Sequence, residues 1–293
     1  MKIQWFPGHM HKTKLALAKL VKDVDIVIEL LDARAPLSSC NPLIQNLIKY
    51  KKKIKILNKE DLADDKITNE WIKYFETIDK TIAIKGNMHN VKQAKKIIGL
   101  CKKISPARNS YEKPLRVMVT GIPNVGKSTL INQLIGKKIA KTGDIPALTK
   151  NSQCIVLDSD FIVYDTPGIT WENIDVKQIG FNLAICNSIG KNAIDEEILA
   201  LYLIDFFKNN YCEQFYLRFK LNNITEIDSL EVLLNIGKKR GCLLNGGLID
   251  IQKVSELLIQ DFRNGSIGRI TLETPQIWEQ WRNEFLLEDP IFA

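Results

Sequence analysis

Short apolar runs rich in β-branched residues recur through the first half of the chain, and more polar stretches separate them. Such runs are typical of strands buried on both faces, and their alternation with helices predicts a parallel α/β sheet. Helices are predicted over residues 70–75 and 128–134. The predicted strands cover residues 24–32, 53–58, 81–84, 115–120, 154–157 and 161–164, the last two as a hairpin.

Beyond about residue 175 the strand pattern fades. Apolar residues then recur at helical spacing over residues 199–207, 230–236 and 254–262, which predicts helices. We therefore predict an α/β domain over residues 1–175 and a small all-helical domain over residues 176–293.

The composition is that of an ordinary water-soluble protein, with 45% hydrophobic and 26% charged residues. No apolar run approaches the ~20 residues that cross a bilayer, and the first residues lack the features of a secretory signal. The six cysteines stand singly, which is typical of free or buried thiols rather than of a disulfide or zinc framework. We expect a cytoplasmic monomer without membrane contact.

The net charge of +7 is unevenly distributed. Residues 1–175 contain 29 Lys and Arg against 18 Asp and Glu, whereas residues 176–293 contain 12 against 16. A basic first domain favours a polyanionic partner such as RNA, bound less tightly as salt rises. The general enrichment of this sequence in lysine explains the excess equally well, so charge alone leaves nucleic-acid binding open.

A phosphate-binding loop follows the strand at residues 115–120. Residues 121–128 fit the pattern G-x-x-x-x-G-K-S between a predicted strand and a predicted helix, the context that such a loop requires. Its backbone N–H groups surround phosphate, its lysine contacts the β- and γ-phosphates, and its serine ligates Mg²⁺. The candidate binding residues are Asn124, Val125, Gly126, Lys127, Ser128 and Thr129.

Two further elements are predicted beside the phosphates. Asp165 and Gly168 form a D-x-x-G sequence, in which the carboxylate orients Mg²⁺ and the glycine N–H contacts the γ-phosphate. Thr149, in a loop 21 residues beyond Ser128, is the best candidate for the threonine that completes the Mg²⁺ shell. An ordinary loop threonine is the alternative. Lys127 and Thr149 are therefore candidate catalytic residues.

A guanine-specific sequence, N-K-x-D, directly follows the strand at residues 53–58 as Asn58, Lys59 and Asp61. The Asp61 carboxylate can accept hydrogen bonds from guanine N1–H and from the exocyclic amine, a pair that adenine does not offer. By itself this tetrapeptide also fits a turn. Its place after an apolar strand, in a chain with a phosphate-binding loop, favours guanine.

The order of these motifs is reversed, because N-K-x-D precedes the phosphate-binding loop by more than sixty residues. We interpret this order as a circular permutation, which the closeness of domain termini makes feasible. The motif order resembles that of the circularly permuted ribosome biogenesis GTPase A family, bacterial GTPases of large-subunit assembly. The further segments that carry this resemblance are residues 5–10, 32–36, 237–242 and 261–269.

The resemblance covers essentially the whole chain and implies a circularly permuted P-loop GTPase domain followed by a small all-helical domain. It also implies that His9 replaces the usual water-orienting glutamine, because Ile169 follows Gly168 and a hydrocarbon cannot polarise water. A docking role for His9 is the alternative. Asn124 resembles the asparagine that ligates K⁺ in potassium-stimulated relatives.

Two further groups of residues complete the predicted sites. Lys85 and Gly86 lie in the segment that resembles the family's S-A-K-like guanine-binding loop. The serine of that loop is replaced here by Ala83. The candidate RNA-facing residues are Lys238, Lys239, Arg240, Arg263 and Arg269. Charges exposed to solvent at helix ends are the alternative for these five.

The resemblance implies a Mg²⁺-dependent GTP hydrolase, with K⁺ as a candidate second ion. Such a protein binds GTP and GDP, contacts rRNA and ribosomal proteins of the immature large (50S) subunit at a late assembly step, and leaves when GTP is cleaved. One alternative is a nucleotide-gated RNA-binding assembly factor in which hydrolysis is incidental. The other is a permuted GTPase of the small subunit, although the C-x-x-C zinc module of that relative is absent from this sequence.

Overall fold

The computed structural model describes residues 3–4, 10–88, 90–106, 110, 112–136, 141–142, 153–170, 173–174, 176–190, 194–221 and 224–285. Nine strands and eleven α-helices lie within these residues. The strands are β1 (Ile3–Gln4), β2 (Ile26–Asp32), β3 (Lys52–Asn58), β4 (Thr81–Gly86), β5 (Leu115–Thr120), β6 (Lys141–Thr142), β7 (Gln153–Asp158), β8 (Phe161–Asp165) and β9 (Asn173–Ile174). The helices are α1 (Met10–Asp23), α2 (Pro42–Ile48), α3 (Asp65–Glu76), α4 (Val91–Ile104), α5 (Lys127–Ile135), α6 (Lys177–Ile185), α7 (Glu196–Asn210), α8 (Cys212–Phe219), α9 (Ser229–Arg240), α10 (Ile251–Arg263) and α11 (Pro275–Phe285).

Seven of the strands form one sheet in the order β4-β3-β2-β5-β8-β7-β6. The strands from β4 to β8 in this order run parallel, while β7 is antiparallel to β8 and β6 is antiparallel to β7. β1 and β9 form a separate antiparallel pair. The predicted strands and the hairpin are therefore confirmed.

Helices cover both faces of this sheet, which explains why its central strands are almost continuously apolar. Ile28 and Val119 belong to the largest apolar cluster, which includes residues of α4 and α5. Val27 and Met118, their neighbours along β2 and β5, face the other way and pack with residues of α1 and α2. Successive residues of a strand point to opposite faces, so each of these strands contributes to two cores.

The connection from β4 to β5 shows the permutation in three dimensions. β4 lies at one edge of the sheet, whereas β5 lies in the centre between β2 and β8. The chain reaches β5 through α4 and the proline-bearing stretch at residues 105–114. As a result β3, which ends in N-K-x-D, and β5, which leads to the phosphate-binding loop, lie on either side of β2.

The regular secondary structure of the described residues beyond β9 is helical, apart from an isolated bridge between Leu243 and Ile249. The helices predicted at residues 199–207, 230–236 and 254–262 are present as α7, α9 and α10. The largest apolar cluster continues from the sheet into these helices, through residues such as Leu203 and Phe262. Packing therefore does not mark the boundary at residue 175, which stays a prediction.

A segment after α10 holds the C-terminal helices against the sheet-bearing part. The amide of Ile270 donates to the carbonyl of Leu62 (2.9 Å), and the amide of Leu272 donates to that of Arg34 (2.7 Å). The indole of Trp71 on α3 donates to the carbonyl of Glu273 (2.9 Å). These bonds place the C-terminal helices directly beside the loops that follow β2 and β3.

All six cysteines lie within the described residues as free thiols, and five of them are buried. No helix in the described part of the chain combines the length and apolarity that crossing a bilayer requires.

Candidate nucleotide-binding site

The predicted motifs meet at one edge of the sheet, where the parallel strands end. Asn58 is the last residue of β3, Asp165 is the last residue of β8, and residues 121–126 connect β5 to α5. Ligands of open α/β sheets bind at this edge. The fold therefore brings together motifs that are more than a hundred residues apart in the sequence.

Two glycines of the phosphate-binding loop are required by its geometry. Gly121 and Gly126 have φ angles of +147° and +104°, which side-chain-bearing residues rarely adopt. A Cβ on Gly121 would lie 2.5 Å from the carbonyl oxygen of Leu30, and one on Gly126 would lie 2.3 Å from Asn58 Nδ2. α5 begins immediately after Gly126, so the amides of its first turn are available to an anion.

The lysine of N-K-x-D is fixed by charged residues at the end of β2. Lys59 has a φ of +63°, and its Nζ lies 2.7 Å from Asp32 Oδ2. Arg34 binds the same carboxylate through two nitrogens, at 2.9 and 2.8 Å. Burial acts against the Asp32 anion, yet Arg34 and Lys59 together hold the pKa of this carboxyl well below its usual range. The loop that carries Asp61 is therefore anchored at its start.

A cavity of about 670 Å³ extends from this loop to the phosphate-binding loop. It joins the guanine-reading and phosphate-binding residues in one space of the size of a small-molecule site. The predicted binding residues that line it are Asn58, Lys59, Asp61, Asn124, Gly126, Lys127, Ser128 and Thr129.

Four of the predicted binding residues do not line this cavity, and one of them, Gly168, lines the second cavity described below. Asn87 lines the cavity at the place where Lys85 and Gly86 were expected. The Lys85 ammonium instead binds Asp65 Oδ1 at 2.5 Å. Val125 is buried, and its carbonyl accepts a hydrogen bond from Asn58. These residues position the loops around the cavity.

A second cavity of about 350 Å³ joins the phosphate-binding loop to D-x-x-G, with Lys127, Ser128, Asp165 and Gly168 among its lining residues. A Cβ on Gly168 would lie 2.9 Å from the backbone nitrogen of Pro123, so only glycine fits there. Burial lowers the pKa of Lys127 to about 8, against the attraction of Asp165. The ammonium donates to the carbonyl of Ile122 (2.7 Å) at the base of the loop.

The oxygen donors beside this second cavity fit Mg²⁺. Ser128 supplies a hydroxyl and Asp165 a carboxylate, both hard ligands of the kind that Mg²⁺ takes together with phosphate oxygens and water. Burial raises the pKa of Asp165, and the nearby Lys127 lowers it. A bound cation would also favour the ionised carboxylate.

The residue after D-x-x-G has its side chain in the core. Ile169 is 4% exposed and packs in the apolar cluster that contains Leu17 and Met118. Its carbonyl oxygen accepts a hydrogen bond from Asn41 Nδ2 at 2.8 Å. This segment therefore presents only backbone and hydrocarbon where a water-orienting glutamine is usual.

Three further residues were predicted to act in catalysis or ion binding beside the γ-phosphate, and the structure describes only Asn124 among them. His9 and Thr149 lie outside the described residues. Asn124, the candidate K⁺ ligand, has a φ of +60° and borders both cavities. Its amide donates to the carbonyl of Asn187 at 2.6 Å.

The lining residues that the motifs do not contain include a group of four from beyond β9, namely Cys186, Asn187, Gln260 and Arg263. They come from the helical part of the chain, more than fifty residues beyond the phosphate-binding loop. Arg263 was predicted to face RNA, so its position on the cavity wall differs from that expectation. A search for polar side chains near helix ends could have singled out Gln260 and Arg263, but nothing local indicates which surface they face.

Two family models match this chain, one described as RsgA GTPase over residues 11–175 and one described as 50S ribosome-binding GTPase over residues 116–239. Ribosome biogenesis GTPase A of Bacillus cereus is 41% identical over 283 residues, which cover 94% of this chain and 95% of that relative. The chain belongs to the ribosome biogenesis GTPase A family. Its predicted fold class and family are thereby confirmed.

More distant members of the ribosome biogenesis GTPase A family keep the same extent. The relative from Thermotoga maritima is 29% identical over 278 residues, covering 94% of this chain and 95% of its own length. A GDP-bound structure of YlqF matches 88% of this chain and 98% of its own, with a TM-score of 0.64 and 27% identity. GNP-bound YlqF from T. maritima matches 90% and 99%, with a TM-score of 0.62 and 27% identity.

The five predicted RNA-facing residues of this family member have different surroundings. Arg269 donates to the carbonyls of Glu60 and Ala63, both at 2.8 Å, and so braces the loop that carries Asp61. Lys238, Lys239 and Arg240 lie exposed in the last turn of α9. Among the five predicted RNA-facing residues, only these three form a continuous exposed group on one helix.

Proposed function

We propose that this chain binds GTP and GDP across the two cavities and hydrolyses GTP. The supporting observation is that Asp61, the guanine-reading carboxylate, and Lys127, the phosphate-binding ammonium, line the same cavity. The smaller cavity then receives the γ-phosphate, between Lys127 and the N–H of Gly168. A base at one end and phosphates at the other match the dimensions and donors that a nucleoside triphosphate needs.

In this proposal each motif residue has a separate task. Lys127 and the amides at the start of α5 hold the phosphate oxygens and neutralise charge that moves onto the leaving group. Ser128 and Asp165 hold Mg²⁺, with Thr149 as a further ligand and Asn124 as the ligand of a second ion, K⁺. Bound Mg²⁺ neutralises the negative charge of the β- and γ-phosphates.

We further propose that His9 orients the attacking water, because Ile169 cannot. The described elements on both sides of His9 lie close to D-x-x-G. Gln4 pairs with Asn173, which follows Gly168 by five residues. On the other side, α1 begins at Met10 and shares an apolar cluster with Ile169.

The proposed partner is the immature large ribosomal subunit, with its rRNA contacted by Lys238, Lys239 and Arg240. The names of the relatives, ribosome biogenesis GTPase A, and the family description, 50S ribosome-binding GTPase, support this target. The three exposed cations supply the phosphate contacts that RNA binding requires. Hydrolysis then ends the bound state, because Gly168 loses the γ-phosphate contact and D-x-x-G changes its arrangement.

Single-turnover GTP hydrolysis, measured alone and with purified large or small subunits, tests the proposal. We expect slow turnover alone, acceleration by large subunits and little effect of small subunits. Lys127→Ala is the control without a phosphate clamp, and it should abolish turnover under every condition. Acceleration by small subunits alone would reassign the target. Equal turnover under all conditions, together with GTP-dependent binding to large subunits, would support the assembly factor in which hydrolysis is incidental.

A further inference from the structure

We propose that Gln260 and Arg263 of α10 contact the base and ribose of the bound nucleotide, so that nucleotide binding and docking of the C-terminal helices are coupled. This inference rests on the proposed use of the larger cavity for guanine nucleotides. It assigns part of the nucleotide site to the helical region, outside the four motifs that define the GTPase part.

The positions of these two residues indicate which end of the nucleotide they contact. Gln260 and Arg263 line the larger cavity, as Asp61 and Lys59 do. Neither is among the residues that line the smaller cavity with Gly168. They therefore lie away from the γ-phosphate, and the hydrogen bond from Arg34 to the Arg263 carbonyl brings this turn of α10 close to the guanine motif.

The guanidinium of Arg263 is held in place by the backbone of α6. Its Nε donates to the carbonyl of Ile185 and its Nη2 to that of Ala184, both at 2.8 Å. Neither of these bonds uses Nη1, and no described residue accepts a hydrogen bond from it. A half-buried cation with a fixed orientation and unused N–H donors on Nη1 is suited to an oxygen of the base or ribose, since little side-chain entropy is lost on binding.

Among the described residues, no carboxylate lies within ion-pair distance of Arg263, in contrast to Arg34 and Lys59 of the same cavity. Arg34 and Lys59 both bind Asp32, which neutralises part of their charge. Lys127 lies next to Asp165, at the phosphate end. Arg263 forms no ion pair with a described residue, and the Glu196 carboxylate attracts its charge from beyond ion-pair distance. An electron-rich ligand atom in the cavity can therefore still bind Arg263.

Hydrogen bonds connect Arg263 to the guanine motif through Arg34 and Asp32. Its backbone carbonyl accepts from Arg34 Nη1 at 3.3 Å, and Arg34 binds the Asp32 carboxylate that also holds Lys59. Farther along, Arg269 binds the carbonyls on both sides of Asp61. A change in how α10 docks therefore changes the support of the base-binding loop.

Gln260 offers a less disruptive position for a test than Arg263. Its side chain is exposed, and its described hydrogen bond is to Asn264 of the adjoining turn, at 2.9 Å. Removing this amide should leave the packing of α10 intact. Gln252 is a matched control, because it is also an exposed glutamine of α10 and its amide binds Glu196 and Glu256. Arg218, whose guanidinium binds Asp261, is the matched arginine control.

The experiment measures dissociation constants of GMP, GDP and GTP by competition for wild type, Gln260→Ala, Arg263→Ala and the controls Gln252→Ala and Arg218→Ala. Loss of one hydrogen bond from a charged donor should weaken binding by about ten- to a hundredfold for Arg263→Ala, and by several-fold for Gln260→Ala. We expect the same factor for all three nucleotides, because base and ribose are common to them. The two controls should bind like wild type.

Hydrogen exchange distinguishes direct contact of α10 with the nucleotide from a purely structural role of its side chains. In wild type, GDP should slow exchange at α10 and at residues 264–272, because coupling between two sites is reciprocal. Gln260→Ala should show a smaller effect of GDP at equal saturation. Wild-type nucleotide affinity in both α10 variants, or a loss confined to GTP, would overturn the inference while leaving the proposed function intact. No nucleotide binding by the wild type would instead overturn the proposed function.

Discussion

Asn58 and Val125 are joined by a 2.7 Å hydrogen bond from the Asn58 amide to the Val125 carbonyl, although they are 67 residues apart in the sequence. The side-chain oxygen of Asn58, Oδ1, also accepts a hydrogen bond from the backbone amide of Met88 at 3.0 Å. One buried side chain thus ties the guanine motif to the phosphate-binding loop and to the loop after β4. This function depends on spatial proximity, which the permuted order of the chain preserves.

Asn58→Ala should lower the free energy of unfolding by about 2–3 kcal/mol, because a buried N–H and a buried carbonyl lose their partner. GDP affinity should fall as well, since the two nucleotide-binding loops are no longer tied together. Urea unfolding and GDP titration measure the two effects. The control is Asn69→Ala, which removes an exposed amide bound to Asp65. Stability and affinity like those of wild type would show that the tie is unimportant.

Asp61→Asn should weaken GDP binding and favour xanthosine diphosphate. The amide presents a donor where guanine N1–H needs an acceptor, whereas xanthine offers a carbonyl at the position of the exocyclic amine. A competition assay with the two diphosphates measures the ratio of affinities, which should reverse relative to wild type. An unchanged preference for GDP would remove Asp61 from the base site.

Glu273 is a buried carboxyl group between the C-terminal segment and the loop after β2. It accepts hydrogen bonds from the amides of Leu37 and Ser38, from the Ser38 hydroxyl and from Asn182 Nδ2. Burial raises the pKa of Glu273, although hydrogen bonds from Ser38, Asn182 and Leu37 lower it. The protonated group is therefore favoured more in the folded state than in the unfolded chain.

A raised pKa in the folded state contributes stability that is complete below the unfolded pKa and is lost as pH rises through the folded pKa. Glu273→Gln cannot titrate, so the stability of wild type relative to this variant should fall as the pH rises above 4.5, the ordinary pKa of a glutamate. Urea unfolding at increasing pH measures the difference. Glu279→Gln, on the exposed face of α11, should show no such trend. A pH-independent difference for Glu273→Gln would mean that the carboxyl stays in one protonation state.

The triple variant Lys238→Gln, Lys239→Gln, Arg240→Gln should weaken binding to large ribosomal subunits without changing GDP affinity. Three lost phosphate contacts should reduce the slope of log affinity against log salt by about 2–3. The matched control neutralises three exposed lysines of α4, Lys92, Lys95 and Lys96. If only this control lowers the slope, the RNA contact lies on the lysine-rich first domain.

His9→Ala should separate binding from chemistry. The variant should keep its affinity for GTP and for the large subunit, but lose about 10²–10⁴-fold in subunit-stimulated hydrolysis, the usual effect of removing one acid–base group. Basal turnover should change far less. Single-turnover hydrolysis with large subunits and K⁺ measures the stimulated rate. A rate within about threefold of wild type would leave His9 with a docking role.

Local patterns in the sequence were sufficient for the order of strands and helices and for the phosphate-binding loop. Apolar runs followed by Asn58 and Asp165 mark strand ends, and parallel strands place their ends at one edge of the sheet. Glycine at 121 and 126 meets a backbone requirement that is local to the loop. The reversed motif order then indicated the permutation, and the strand order of the sheet agrees with it.

Side-chain direction at single positions was decided by tertiary structure. The sequence shows that residue 169 is isoleucine, but only the fold shows that it packs against a cluster with Leu17. Lys85 stands in a predicted guanine-binding loop, yet its ammonium binds Asp65 on the neighbouring helix. In both cases the outcome depends on a partner from another element, and the local pattern carries no signal of that partner.

The walls of the nucleotide cavity were likewise decided only by packing of distant segments. Gln260 and Arg263 have the helical spacing and polarity of ordinary surface residues in the sequence. They line the cavity because the segment after α10 pairs its amides of Ile270 and Leu272 with carbonyls of loops beyond β3 and β2. Periodicity records which face of a helix is apolar, whereas the surface that its polar face meets is set by long-range hydrogen bonds and burial.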